Sequence, residues 1–306
     1  MRRVRMNSRT KRGVIYKALS GFYYVTTANA TFTECRARGK FRLEGKSPLV
    51  GDRVIYNETE ESKGILQEIL PRKNSFLRPP VANIDMFIIT TSESNPISVP
   101  FLIDRITVVA ENSGCDCIIC INKSDLKDSS RLYDIYKGTG YKTIFTSCKT
   151  GEGIEELSGA IANKICAFVG NSGVGKSSLL NALAPDLAIK TADVSQKLGR
   201  GKHTTRHVEL YTLDNGAILA DTPGFSSFDT ERMEIIKKED LQYLFKEFVP
   251  YVGSCKFNDC SHTTEKGCAL LEAVSRGEVH PSRSESYKRL YDSASQIKEW
   301  EIEKRQ

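Results

Sequence analysis

A chain of 306 residues, 40% apolar and 27% charged, is long enough for two or three domains, each with a buried core. It contains no run of about 18 apolar residues, which excludes a membrane-spanning helix, and no apolar signal region follows the N-terminus, so a cytoplasmic location is expected. The net charge of +6 is uneven: residues 1–80 hold 17 Lys/Arg against 7 Asp/Glu, a balance of +10, which leaves −4 for residues 81–306.

Residues 1–12 form a basic tail in which Arg2, Arg3, Arg5, Arg9, Lys11 and Arg12 meet no acid. A solvated end accounts for it as well as a nucleic-acid contact does. From Gly13 to about Leu70, short apolar runs alternate with Gly, Asn, Ser and Pro. Val14-Ile15-Tyr16, Phe22-Tyr23-Tyr24-Val25, Thr31-Phe32-Thr33, Lys40-Phe41-Arg42-Leu43, Arg53-Val54-Ile55-Tyr56 and Gly64-Ile65-Leu66 read as strands. Five or six strands in so short a stretch predict a small β-barrel of the oligonucleotide-binding (OB) type over 13–72. Tyr23, Phe32, Phe41, Arg36, Arg38, Lys40 and Arg42 are candidates for an RNA-facing surface, although aromatics in a small barrel more often fill its core.

Pro71 to Pro80 reads as a linker into a second domain, 80–229. Ile84 to Thr90 predicts a buried strand, Leu102 to Ala110 a helix, and Cys117-Ile118-Ile119-Cys120-Ile121 another buried strand. At its end stands Asn122-Lys123-Ser124-Asp125. A carboxylate there accepts two N–H donors from the edge of guanine, whereas adenine leaves polar groups unpaired. Asn122 would tether the loop, and the Lys123 stem would lie along the base. A strand over 143–146 then leads to Ser147-Cys148-Lys149, where a backbone N–H meets the base, and 154–162 predicts a helix.

Gly170-Asn171-Ser172-Gly173-Val174-Gly175-Lys176-Ser177-Ser178 follows the apolar run 165–169 and precedes a helical pattern. Strand, glycine loop and helix in that order form a phosphate-binding loop. Its backbone N–H groups and the positive helix end surround phosphates, Lys176 reaches the β- and γ-phosphates, and the Ser177 hydroxyl sits on Mg²⁺. Strands over 208–213 and 217–220 lead to Asp221-Thr222-Pro223-Gly224, in which Asp221 would hold Mg²⁺ through water and the Gly224 N–H would sense the γ-phosphate.

The succession is unusual: the base-reading tetrad precedes the phosphate loop. Relocating the chain ends to an exposed connection restores the ordinary α/β sheet. With these motifs, the chain resembles the RsgA (YjeQ/YloQ) family of circularly permuted, ribosome small-subunit-dependent GTPases. The resemblance covers barrel, G domain and C-terminal part. It implies GTP/GDP as ligand, the small ribosomal subunit and its rRNA as partner, and a monomer acting late in subunit maturation.

Nine cysteines in a chain without an export signal argue for thiols or metal ligands over disulfides. Within 230–306, Cys255, Cys260, His262 and Cys268 have the composition of a closed structural Zn²⁺ site, and the family has a zinc-binding segment here. Cys115, Cys117 and Cys120 do not converge, because strand alternation turns Cys117 and Cys120 to opposite faces. Tyr287, Leu290, Tyr291, Ala294, Ile297 and Trp300 mark the apolar face of a closing helix. Phe225 occupies the place of the water-orienting Gln of many GTPases, so unaided hydrolysis is expected to be slow. The resemblance suggests His203 as the residue that positions water and the subunit as activator. On the residues alone, a solvent-facing His203 serves as well. Thr204 or Thr205 would cap Mg²⁺, with Thr205 preferred. The predicted architecture is an OB-type barrel, a permuted α/β P-loop GTPase domain and a helical zinc-binding domain. The alternative to an enzyme is an RNA-binding scaffold with structural, slowly hydrolysed nucleotide.

Overall fold

The computed structural model describes residues 10–26, 31–43, 45–60, 62–77, 79–126, 130–185, 208–221 and 236–297. The first element is a five-stranded barrel. Strands β1 (Thr10–Leu19), β2 (Phe22–Thr26), β3 (Phe32–Ala37), β4 (Arg53–Glu60) and β5 (Lys63–Ile69) pair in the order β1-β2-β3-β5-β4. β4 returns to β1 antiparallel and closes the barrel, and β3 with β5 is its parallel pair. Ile15, Val25, Cys35, Val54, Tyr56 and Leu66 fill the interior.

One predicted strand is a helix instead: Gly39–Leu43 forms α1. In a strand Phe41 and Leu43 would share a face. Here Phe41 is 4% exposed and Leu43 is 90% exposed, which a helical turn permits and a pleat does not. Phe41 thus belongs to the core, while Phe32, Arg36, Arg38 and Lys40 stand exposed.

The expected linker is also structured. β6 (Ser75–Leu77) and β7 (Pro80–Ala82) form a hairpin. Val81 bridges to Val50 of the barrel, and Phe76 packs on Phe87 of the next domain with ring centroids 5.2 Å apart. The Arg72 guanidinium donates to both oxygens of Asp52, at 2.7 and 2.8 Å. The ion pair thus anchors the start of this segment to the barrel, and the hairpin packs between barrel and the next domain.

The second domain is a six-stranded sheet with helices on both faces. Its strands are β8 (Met86–Ser92), β9 (Asp116–Asn122), β10 (Lys142–Thr146), β11 (Ile165–Val169), β12 (Glu209–Thr212) and β13 (Ile218–Asp221). They lie in the order β10-β9-β8-β11-β13-β12, all parallel except β12. All seven residues of β8 are buried, as expected for a central parallel strand covered on both faces. Phe87 and Ile89 face α2 (Pro100–Asn112) and α3 (Ser130–Tyr136); Met86 and Ile88 face α4 (Ile154–Ile161) and α5 (Lys176–Leu183). The same alternation sends Cys117 into one core and Cys120 into the other. β12 continues into the barrel through β1, where Lys17 Nζ lies 3.0 Å from Glu209.

The C-terminal part comprises 3₁₀ turns at Leu241–Tyr243 and Lys246–Tyr251, a loop, α6 (Ala269–Ser275) and α7 (Pro281–Ser295). Its core holds Leu241, Phe245, Phe248, Leu270, Val279 and Tyr287 and also takes in Val108 of α2. Pro281 starts α7 at a position where a missing N–H costs nothing, and His280 Nδ1 accepts the Ser282 N–H. Of the predicted face, Tyr287 is buried and Leu290 and Tyr291 pack against this core, together with an unpredicted member, the fully buried Arg283; Ala294 and Ile297 are only half-buried, and Trp300 lies outside the described residues. No helix among the described residues is long and apolar enough to cross a membrane.

Candidate functional site

β8 and β11 are neighbours at the centre of the sheet, and the chain winds outward from each in opposite directions. Connections diverge at such a point and leave a crevice beyond the carboxyl ends of the strands. Three predicted segments open there: 122–125 after β9, 147–149 after β10 and 170–178 after β11. Asn122 is 3% exposed, and its Nδ2 donates to Val174 O at 2.8 Å. Lys123 Nζ donates to Gly173 O at 2.8 Å and to Asn95 O at 2.6 Å. Segments some fifty positions apart are thus bound to each other directly.

The glycine loop is shaped by close approach. Gly170 has φ +135° and Gly175 φ +103°; a Cβ on Gly170 would lie 2.2 Å from Thr90 O, and one on Gly175 would lie 2.2 Å from Asn122 Nδ2. Only glycine fits at either place. Val174 is buried beneath the loop, while Ser172, Ser177 and Ser178 stay exposed and Asn171 half-buried. Lys176 Nζ donates to Gly170 O and Asn171 O, both at 2.7 Å. Burial lowers the pKa of this amino group, and among the described residues no carboxylate pairs with it, a counter-charge that an arriving phosphate would supply.

The base-reading side is held equally firmly. The Ser147 hydroxyl donates to Asp125 Oδ1 at 2.7 Å while receiving the Lys149 and Thr150 N–H groups. One Asp125 oxygen is thereby fixed, and the exposed carboxylate faces outward. Ser124 Oγ donates to Glu152 at 2.6 Å, and the Ser147 N–H donates to Glu152 O, so the two loops share a partner that the sequence did not mark. Cys148 is exposed beside them.

Asp221 ends β13, in parallel register beside β11. His203, Thr204, Thr205, Gly224 and Phe225, on which the catalytic and Mg²⁺ expectations rest, lie outside the described residues, as does the Asp221 side chain.

A separate cluster gathers Cys255, Cys260, His262 and Cys268, whose ligand atoms all lie within 4.8 Å of one another. Cys255 Sγ is 3.4 Å from His262 Nδ1 and 3.8 Å from Cys268 Sγ, and His262 Nδ1 is 3.4 Å from Cys268 Sγ. A tetrahedron with Zn–S bonds of about 2.3 Å has edges of about 3.8 Å, so the donor set and its spacing fit Zn²⁺. His262 Nε2 lies 2.9 Å from Gln242 Oε1, an acceptor that puts the proton on Nε2 and frees Nδ1 for the cluster. Burial lowers the His262 pKa against the opposing pull of Glu265, which favours the neutral ligand form. Burial also raises the Cys260 and Cys268 thiols, so thiolates there call for a cation. The Ala269 N–H adds a 3.3 Å contact to Cys255 Sγ. Gln242 stands 13 residues before the first ligand, in no spacing that would have revealed it.

A sheet entered at its middle strand, with the base loop ahead of the phosphate loop and both pinned at one edge, is that of a circularly permuted GTPase. The chain belongs to the RsgA GTPase family: residues 69–231 match the RsgA GTPase family model and residues 12–66 the RsgA N-terminal domain. It is 45% identical over 278 residues to the small ribosomal subunit biogenesis GTPase RsgA of Caldanaerobacter subterraneus, covering 90% of this chain and 92% of that protein. It is 45% identical over 281 residues to that of Geobacillus thermodenitrificans, covering 90% and 94%. Among solved structures, YjeQ from Thermotoga maritima matches with a TM-score of 0.80 at 36% identity, over 94% of this chain and all of the other. YloQ, a circularly permuted GTPase, matches with a TM-score of 0.77 at 34% identity, over 100% and 99%. The chain is accordingly a GTP hydrolase with a guanine-nucleotide site.

Proposed function

We propose that this hydrolase acts on the small ribosomal subunit late in its maturation, that the subunit stimulates its turnover, and that hydrolysis promotes release. The observation carrying the nucleotide part is the 2.8 Å bond from Asn122 Nδ2 to Val174 O, which supports reading the two loops as the base and phosphate sides of one site. The subunit part is supported by relatives named as small ribosomal subunit biogenesis GTPases.

In this reading Asp125 takes the guanine N–H donors, with one oxygen oriented by Ser147, and the Cys148 N–H meets the base. Backbone N–H groups of 170–178 surround the phosphates. Lys176 leaves its two loop carbonyls to meet the β- and γ-phosphates. Ser177, Asp221 and Thr205 would hold Mg²⁺, which neutralises charge developing between the phosphates. His203 would orient the attacking water that Phe225 cannot, and Gly224 would sense the γ-phosphate. Cys255, Cys260, His262 and Cys268 would hold one Zn²⁺, supplying folding energy to a loop with little apolar content. Exposed Phe32, Arg36, Arg38 and Lys40 suit rRNA. The protein would work as a cytoplasmic monomer, organised as a tail 1–12, barrel 13–72, GTPase domain 80–229 and zinc domain 230–306.

The test is multiple-turnover GTP hydrolysis with and without purified small and large subunits, for the full chain and for His203→Ala. Stimulation specific to small subunits, lost in the variant and resistant to competing ATP, supports the reading. Turnover indifferent to subunits, with RNA binding retained, favours the scaffold alternative. Intact stimulation in the variant removes His203 from catalysis.

A further inference from the structure

We propose that Arg283 and Arg289 of the C-terminal helix are positioning residues for the nucleotide site, acting through α2. The C-terminal part grips α2 along its length. At the first turn the Arg289 guanidinium stacks 3.7 Å from the ring centroid of Phe101. At the next turn Arg283, fully buried, donates to Asp104 and, through two other nitrogens, to both oxygens of Glu247. At the last turn Lys246 Nζ lies 3.0 Å from Glu111. Apolar faces slide past one another at low cost. A guanidinium shared by two buried carboxylates cannot slide without leaving a charge unpaired, so displacement of α7 carries α2 with it. Tyr136 ties the charges to the start of the helix, its hydroxyl lying 2.7 Å from Asp104 Oδ1 and 3.2 Å from Pro100 O.

The segment that leads into this same first turn of α2 meets both nucleotide loops. The segment before Pro100 is closed on itself, with the Ser98 N–H on Ser92 O and the Ser92 N–H on Ser98 Oγ. From this short turn Asn95 O receives Lys123 of the base-reading tetrad, and Pro96 stands against Gly173, 3.2 Å from where a Cβ would lie. Lys123 in turn donates to Gly173 O. A shift of α2 therefore reaches the guanine side and the phosphate side through one rigid turn. This route is distinct from the chain connection that runs from Asp221 into the C-terminal part, and it requires no change in that connection. A macromolecule pressing on the zinc segment could thus alter nucleotide retention: Tyr287, one helical turn after Arg283, donates from its hydroxyl to Ser261 O between two of the four clustered residues.

The inference rests on the nucleotide reading of the crevice. The experiment is dissociation of a fluorescent GDP analogue from the full chain with Mg²⁺, alongside thermal unfolding of nucleotide-free protein. The variants are Arg289→Ala, which removes a surface stack and spares the core, and Arg283→Lys, which keeps the charge but cannot serve two carboxylates. Lys288→Ala, an exposed neighbour on the same helix, is the control. The expected result is release faster by about fivefold or more in Arg289→Ala, near the lower end of ordinary coupling between sites, with its unfolding midpoint and the control's release unchanged. If Arg283→Lys fails to fold, Arg289→Ala alone decides. Wild-type release rates in Arg289→Ala, from protein that binds the analogue, overturn the inference and leave the nucleotide site standing. A wild-type chain that binds no guanine nucleotide overturns the nucleotide reading itself.

Discussion

Replacing Gly175 by alanine tests the join between base loop and phosphate loop. Two costs follow from its surroundings. The backbone there is left-handed at φ +103°, which costs a residue with a Cβ about 1–2 kcal/mol. The added methyl would also lie 2.2 Å from Asn122 Nδ2, a contact relieved only if Asn122 swings away. That movement breaks the 2.8 Å bond to Val174 O and leaves buried polar groups unpaired, at about 1–3 kcal/mol. The sum, about 2–5 kcal/mol, is a large part of the 5–15 kcal/mol typical of whole proteins. Gly277→Ala isolates the backbone part, because Gly277 has φ +77° and open space around it. Unfolding midpoints of both variants, with guanine-nucleotide affinity measured by titration, separate the contributions. Gly175→Ala should unfold well below Gly277→Ala and lose about 10- to 100-fold in affinity, the equivalent of 1.4–2.8 kcal/mol. Adding Asn122→Ala removes the obstruction, so the double variant should cost less than the sum of its parts. Equal unfolding midpoints with wild-type affinity would refute the reasoning.

Metal removal should act locally: a strong chelator is expected to extract one Zn²⁺ per chain and expose 255–268 to protease while the barrel stays protected. Gln242→Ala should weaken metal retention by about 10- to 100-fold, and a chain that purifies without zinc and resists protease there would contradict the assignment. A second expectation concerns acid. The Arg276 guanidinium and then the Tyr251 hydroxyl hold the Glu278 carboxyl at about 2, below its ordinary 4.5. A depressed carboxyl stabilises the fold above the unfolded value, and that contribution fades as pH falls from 4.5 toward 2. Glu278→Gln should therefore lower the unfolding midpoint slightly at pH 7 and not at all near pH 2, and a gap that stays constant across that range would contradict the shift.

The parts of the site that could be read beforehand are those whose chemistry is local. Nine consecutive residues make the proposed phosphate loop and four the proposed base-reading tetrad; each carries its own spacing, and the structure brings the two segments together. The clustered Cys255, Cys260, His262 and Cys268 lie within 14 residues and were legible for the same reason. Elsewhere the deciding contacts are distant. Lys40-Phe41-Arg42-Leu43 alternates like a strand, yet the barrel offers a place for Phe41 alone. Residues 71–80 look like a proline-bounded linker because the partners that order them, Val50, Asp52 and Phe87, belong to the flanking domains. Arg283 defied the apolar-face reading of α7 most completely. Its partner Asp104 is 179 positions away, and nothing near either residue predicts that a buried arginine would be balanced there.

The same contrast between local and distant interactions explains why the altered chain order leaves the site intact. Strand pairing is a relation in space: β8 pairs with β11 through Phe87 opposite Ala167 and Ile88 opposite Phe168, whichever strand is made first. The order along the chain fixes only which strand ends are joined. In this arrangement the domain is entered at β8, directly from the hairpin that seats the barrel, and left after β13, the strand ending in Asp221. β13 lies beside β11, which carries the phosphate loop, and pairs on its other side with β12, which meets the barrel at Lys17. Both appended parts therefore adjoin strands whose carboxyl ends or neighbours form the crevice. Had the chain ends remained at a sheet margin remote from β8 and β13, partners held by barrel and C-terminal part would meet the phosphate loop only through the packed core. Placing the cut between these two central strands gives each appended part a short mechanical path to the nucleotide. For the C-terminal part that path is the arginine grip on α2, Arg289 on Phe101 and Arg283 on Asp104.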